Sequence, residues 1–180
     1  MVSNISIVDS RFNNISNAVL DNYSSFNYFD ISGQNRGDAF PESIYLCNLI
    51  DADGPNQTVL DIARQFRYDI IDEYNLLCTL FVYYPSNNGH INWHTNENFD
   101  YYNAICTYSQ SGNSFFEYKN GQEIIRINDD VGWSVKKTKW ERGDSKVPHR
   151  AVSNDHRITV TFSSSVESEV DNFISSITNP

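Results

Sequence analysis

Basic residues are scarce in this 180-residue chain: 13 Lys and Arg stand against 23 Asp and Glu, a net charge of −10. That balance argues against general binding to a nucleic-acid backbone, which needs a basic field. Long apolar runs are missing too. No segment approaches the ~18 apolar residues that would span a membrane, so no membrane partner is expected. The opening Met1-Val2-Ser3-Asn4-Ile5-Ser6 has no basic region followed by an apolar run, the mark of a secretory leader. Cysteine is sparse and scattered at Cys47, Cys78 and Cys106, which fits neither a disulfide framework nor a zinc cluster. These read as reduced, mostly buried residues, and a cytoplasmic protein is the simplest expectation. The sequons at Asn4, Asn14 and Asn56 then carry no glycosylation meaning. There is no internal repeat, no low-complexity tract and no linker.

Aromatic residues, in contrast, are plentiful at 14%, with 11 Tyr and 11 Phe. They can anchor a sheet-rich core. A single domain over 1–180 is expected, with helices and a first strand in 1–75, a β core in 76–164 and a terminal helix in 165–180. Residues 1–40 are Asn- and Ser-rich, with a weak helical pattern through Ile15, Val19 and Leu20 and a loop at Gly33–Gly37. Ser43–Ile50 reads as a short buried strand. Val59, Ile62, Ala63, Phe66, Ile70 and Ile71 form one apolar stripe, predicting a helix over Thr58–Tyr74 capped by Asn56 or Thr58. Strands follow at Leu76–Tyr84, Ile91–Thr95, Tyr101–Ser109, Ser114–Tyr118, Glu123–Ile127, Trp133–Trp140, Lys146–Val152 and Arg157–Ser163. The Asn120-Gly121 pair marks a hairpin. Val166–Ile177 has a helical pattern with an acidic start. Helices first, then short strands with regular turn signals, indicate an all-β core with flanking α-helices: a small double-sheet barrel or jelly roll.

Two stretches carry chemistry. In Asn92-Trp93-His94-Thr95-Asn96-Glu97, His94 and Asn96 share a face if the strand is extended. Far along the chain come Val147-Pro148-His149-Arg150-Ala151-Val152 and Arg157-Ile158-Thr159-Val160-Thr161-Phe162, where Arg157 and Thr159 share a face. Two imidazoles, an oxygen ligand and a buried cation outline a non-haem iron site that holds a dicarboxylate. Arg suits a distant carboxylate because its planar fork matches both oxygens. Each residue also has a plain reading: His94 as a satisfied core histidine, His149 as a turn residue after Pro148, and Arg157 to Phe162 as a half-exposed strand.

The region from His94 to Phe162 resembles the 2-oxoglutarate and iron(II)-dependent oxygenase superfamily. The family pattern of His-x-Asp, a distal His, then Arg-x-Ser or Arg-x-Thr is matched by His94-Thr95-Asn96, His149 and Arg157-Ile158-Thr159. The text around these motifs looks most like the small single-domain branch, which includes alkylation-repair oxygenases and oxygenase-like proteins of phages. The resemblance implies a double-stranded β-helix with Fe(II) held by His94, Asn96 and His149. It implies 2-oxoglutarate held by Arg157 and Thr159, and hydroxylation of an unidentified small or macromolecular substrate. Asn96 stands where the family has a carboxylate. The third position is then filled by Asn96 as a poorer, neutral ligand, by Glu97 if the strand ends or bulges there, or by water or an anion, as in the halogenases of the superfamily. Ser163 stands where repair oxygenases carry a second Arg.

Tyr83, Tyr84, Tyr102 and Tyr108 are candidates to line the pocket, while Trp133 and Trp140 read as structural. His90 and His156 fit no pattern and read as surface residues. Lys136, Lys137, Lys139, Arg142, Lys146 and Arg150 concentrate in one region. They read as a solvated strand face, with a nucleic-acid groove as the less favoured alternative. The main competing reading is a catalytically impaired barrel that serves as a binding or structural module. A cupin-type metal enzyme is a further one, although such sites usually offer more than two His.

Overall fold

The computed structural model describes residues 3–32, 41, 43–96, 100–141 and 143–179. Its strands, in chain order, are β1 (Ile5–Ser6), β2 (Phe29–Ser32), β3 (Ser43–Asn48), β4 (Leu77–Tyr84), β5 (Gly89–His94), β6 (Tyr101–Ser109), β7 (Ser114–Asn120), β8 (Glu123–Asn128), β9 (Gly132–Trp140), β10 (His149–Ser153) and β11 (Arg157–Ser164). The α-helices are α1 (Ser10–Asn22), α2 (Gln57–Tyr74) and α3 (Glu167–Thr178). No helix among the described residues is long and apolar enough to cross a membrane.

Every strand pairing is antiparallel. One sheet runs β1-β9-β6-β11-β4 and the other runs β5-β10-β7-β8. β3 belongs to both. Its Cys47 and Asn48 pair with β4, its Ile44 and Tyr45 pair with β5, and β2 lies along its other edge. From β4 onward the chain passes back and forth between the two sheets, which makes an all-β double-stranded β-helix, or jelly roll, with flanking helices.

Alternation along each strand divides the sequence between two cores. On β11, Ile158, Val160 and Phe162 face outward into the layer beneath the helices. Their neighbours Arg157, Thr159 and Thr161 face into the barrel and line its cavity. The outer layer receives Phe12, Ile15 and Val19 from α1, Val59, Ala63, Phe66 and Ile70 from α2, and Val170, Phe173 and Ile177 from α3. Phe66 is central to it, with ring centroids 4.9 Å from Phe12, 5.9 Å from Phe81 and 6.1 Å from Phe162. Truncating such a residue to Ala typically costs about 3–5 kcal/mol.

The helices end where their sequences say they should. Asn56 caps α2 by accepting from the Val59 amide at 3.0 Å. Asn75 closes it in the left-handed region at φ 55°. Glu167 and Glu169 stand in the first turn of α3, where the helix dipole favours negative charge.

Three details differ from the sequence reading. β1 and β2 were not legible, and β10 begins at His149 rather than Lys146. The β7–β8 hairpin turns at Gly121-Gln122, with Asn120 still paired to Glu123. Gly121 takes φ 63°. Glycine at the first central position is the signature of a type II′ turn, not of the Asn-Gly turn the sequence suggested. The expected loop at Gly33–Gly37 lies outside the described residues.

Candidate functional site

The cavity inside the barrel has a volume of about 240 Å³. His94, Asn96, His149, Arg157 and Thr159 all line it. The strand register brings the two stretches together: His149 at the start of β10 pairs directly with His94 at the end of β5. The two imidazole centroids are 4.2 Å apart.

A β-bulge makes this meeting possible. Ala151 pairs with Ile91, yet two residues earlier His149 pairs with His94, so β5 carries an extra residue between them. Without it, strict alternation from inward-facing Ile91 would put Trp93 inside and His94 outside. With it, Ile91 and His94 both line the cavity. Trp93 instead meets the cations of Lys119 at 5.0 Å and Arg150 at 4.9 Å. Asn92 sits at the irregularity. Its side-chain oxygen accepts from the Trp93 amide at 2.9 Å, and its carbonyl lies 2.8 Å from His94 Nδ1.

Both histidines have the same arrangement. Nδ1 of His94 faces the Asn92 carbonyl, and Nδ1 of His149 faces the Val147 carbonyl at 2.9 Å. A carbonyl only accepts, so each Nδ1 carries the proton and each Nε2 keeps its lone pair, that of His149 lying 3.4 Å from the Asn96 amide nitrogen. Burial pushes both imidazoles below the ordinary histidine value. His149, which also faces His94, falls to about 3. Neutral imidazoles with fixed tautomers are the form that binds a metal. His149 is held further by Trp140, whose ring stacks on it at 4.2 Å with planes 13° apart.

The third position is the weak one. Among the described residues no group of three or more His, Cys, Asp and Glu comes together to hold a metal, and no carboxylate lines the cavity. Asn96 is present, with its amide Nδ2 3.4 Å from His149 Nε2. The assignment of amide O and N follows from hydrogen bonding, so a half-turn presents the oxygen instead. Glu97 lies outside the described residues. The donor set of two neutral imidazoles and one amide oxygen fits iron(II), with less negative charge than the usual carboxylate would give.

Across the cavity, Arg157 is buried at 1% exposure. Its Nε donates to Asp129 Oδ2 at 2.7 Å, and a terminal nitrogen donates to Thr159 Oγ1 at 2.7 Å. Its guanidinium carbon lies 4.9 Å from the Tyr84 ring centroid. Thr159 accepts from Arg157, which leaves its own hydroxyl proton free to donate. Asp129 thus holds the Arg157 guanidinium in place, and Arg157 and Thr159 together line this side of the cavity.

Several residues sit elsewhere than their sequence suggested. Of the four tyrosines proposed for the pocket, Tyr84 lines it, while Tyr83, Tyr102 and Tyr108 pack in the outer layer. Tyr101 lines it in place of Tyr102, because adjacent strand residues face opposite ways. Trp140 belongs to the cavity wall, not only to the framework. His90 and His156 are half-buried. His90 lies 2.9 Å from the Ser43 hydroxyl, and His156 is hydrogen-bonded to Tyr83 at 2.5 Å. Of the basic cluster, Arg142 lies outside the described residues and Lys136 departs from the expected solvated face, while Lys137, Lys139 and Arg150 reach the surface as ion pairs. Lys136 is fully buried, Lys137 is paired with Glu167 and Asp171, Lys139 with Glu141, and Arg150 with Glu117. Ser163 is buried and bonds Asn103 at 2.7 Å, so no cation stands there.

No protein-family model and no curated protein matches the chain. Among solved structures it is similar to a prolyl hydroxylase in complex with a hypoxia inducible factor oxygen degradation domain peptide fragment from Trichoplax adhaerens. That match has 14% identity and a TM-score of 0.49, and covers 96% of this chain and 86% of the other. It is also similar to AviO1 from Streptomyces viridochromogenes Tue57, at 10% identity and a TM-score of 0.46, covering 91% of this chain and 89% of that one. The fold and the chemistry are therefore argued from this chain's own strands and residues.

Proposed function

We propose that the chain is an iron(II)- and 2-oxoglutarate-dependent oxygenase that hydroxylates an unidentified substrate. The observation that carries this reading is the meeting of His94 and His149 across β5 and β10, each with Nδ1 tied to a carbonyl so that Nε2 is the nitrogen left with a lone pair. His94, His149 and Asn96 would hold the metal. Arg157 and Thr159 would hold the far carboxylate of 2-oxoglutarate by donated hydrogen bonds. Trp140 and Phe116 wall the site with aromatic surface and exclude water around the imidazoles. When bound, iron(II) and 2-oxoglutarate supply the oxygen chemistry, in which the keto acid becomes succinate and carbon dioxide and a substrate carbon gains a hydroxyl. The free cysteines Cys47, Cys78 and Cys106 suit a reducing compartment such as the cytoplasm.

A second reading, a barrel that binds a ligand without chemistry, is favoured by the neutral Asn96 and the lack of a third His, Cys, Asp or Glu ligand among the described residues. Anaerobic titration with iron(II) and 2-oxoglutarate separates the two. The oxygenase gives a weak visible band near roughly 500 nm, an expectation from the cofactor's chemistry, and succinate when air is admitted. His149→Ala abolishes both, and Asn96→Asp tightens iron. A folded wild type that takes up no iron is the binding module.

A further inference from the structure

Behind Arg157 lies a second buried cation. Lys136, on the inner face of β9, has no exposure, and its Nζ lies 2.8 Å from Asp129 Oδ1. The other oxygen of the same carboxylate takes Arg157 Nε. Asp129 is therefore shared: each of its oxygens faces one cation, and all three side chains are at most 4% exposed. Burial and Arg157 pull against the charge on Lys136, and the Asp129 oxygen 2.8 Å away favours it; with Lys136 protonated, two buried positive charges stand against one negative charge. The nearest further carboxylate named in their electrostatics, Asp130, is exposed to solvent and screened. A buried ion cluster is tolerated when its charges balance. This one does not balance, and its one cavity-lining member is Arg157.

We propose that Lys136 and Asp129 are positioning and specificity-determining residues of the anion subsite. In this inference the shared carboxylate leaves one uncompensated positive charge, and the occupant that completes the set is a singly charged carboxylate on the arm of the bound keto acid. Asp129 aims the guanidinium, and its direct bond to Nε leaves the terminal nitrogens for Thr159 and the ligand. Lys136 acts through Asp129: it draws on the far oxygen, so that Arg157 is not neutralised before the ligand arrives. Arg157 with Asp129 alone would be a closed, neutral pair with little attraction for an anion.

The surrounding strands support a polar occupant here. Thr107 pairs in register with Thr159 on one side and with Ser134 on the other. The hydroxyls of Thr107 and Ser134 are buried and have no hydrogen-bond partner in the structure. Burial without a partner costs free energy, so polar company beside the charge set is favoured. The charged side chains on this wall do not include a further acid: the cavity lining holds Arg150 and Arg157 and, among the described residues, no Asp or Glu.

This inference rests on the keto-acid reading above and deepens it. The test compares binding of 2-oxoglutarate with binding of 2-oxobutyrate, which has the same keto acid end and lacks the far carboxylate. Titrations are run anaerobically on the iron-loaded protein. The readout is the ratio of the two affinities, which a purely structural role of Lys136 would not move. The wild type is expected to favour 2-oxoglutarate. Lys136→Met makes the buried set neutral and should cut that preference about tenfold, with 2-oxobutyrate binding unchanged. The double variant D129N/K136M restores one net positive charge, since Arg157 remains and the Asn carbonyl still accepts from Nε, and should recover most of the preference. The double variant keeps the wild-type net charge of the set and an acceptor for Arg157 Nε, so it serves as an independent arm if the single variant does not fold. A folded Lys136→Met with full preference, or a folded double variant that has lost it, overturns the inference. A wild type that binds neither acid overturns the keto-acid reading itself, a separate result.

Discussion

Two buried carboxylates in this molecule are satisfied in opposite ways. Asp155, at the turn before β11, accepts from the hydroxyls of Ser109, Ser111 and Ser114 and from the backbone amides of Ser111 and Asn113. Every donor is neutral, and they come from the β6–β7 connection, so Asp155 ties that turn to the start of β11. Asp129 accepts from two cations and no side-chain hydroxyl. Both carboxyls lie below the ordinary value of 3.8. Burial alone would raise them. At Asp155 the serine and amide hydrogen bonds outweigh it, and at Asp129 the charges of Arg157 and Lys136 do. A carboxylate surrounded by neutral donors is finished as it stands. One shared by two cations belongs to a set with charge to spare, and that difference separates framework from site.

The largest effect expected from this contrast is that of Asp129→Ala. It strands two buried cations and should cost about 3–5 kcal/mol, read from denaturant midpoints. Asp155→Ala should cost somewhat less, about 2–3 kcal/mol, because neutral donors are cheaper to leave unpaired. It should leave the ratio of 2-oxoglutarate to 2-oxobutyrate affinity unchanged; a change there would break the contrast. Acid should act on both carboxylates in the same direction. Their folded values are depressed, so their contribution is full above about pH 4 and is lost as pH falls through those values. Chemical denaturation across that range should show stability falling below pH 4, and less steeply in Asp155→Ala. A smaller change than Asp129→Ala is predicted for D129N/K136M, which strands one buried cation, Arg157, in place of two and keeps a neutral acceptor for its Nε.

The parts legible in the sequence were those written as local pattern. The α2 stripe, the eight later strands and the alternation through Arg157-Ile158-Thr159-Val160-Thr161-Phe162 depend on spacing along one element, and spacing is what a sequence displays. The parts that were not legible depend on where alternation starts or breaks. Lys136, Lys137 and Lys139 look like one basic run, but Trp133-to-Trp140 alternation sends Lys136 inward and Lys137 to the acids of α3. Tyr83 and Tyr84 were indistinguishable until β4 was given a face. The bulge at Asn92 could not be read from periodicity at all, and it is what turns His94 toward His149. Nothing local marks Asp129 as a site residue, because Asp129-Asp130 before Val131-Gly132 resembles any solvated turn. The one hint available was a buried Arg in need of a counter-charge.

The hydrogen bond from the Val8 amide to the Ile177 carbonyl, 2.8 Å long, holds the first strand region against the last helix. The order in which the chain visits the strands is therefore separable from the barrel the strands build. A short linker from the end of α3 to the residues before β1 would join them, and a cut between Gly121 and Gln122 would open the ring at an uncrowded turn, where a Cβ on Gly121 would meet nothing within 4 Å. In that circular permutant β8 comes first and β7 last, His149 precedes His94 in the sequence, and the two imidazoles still meet across the same pair of strands.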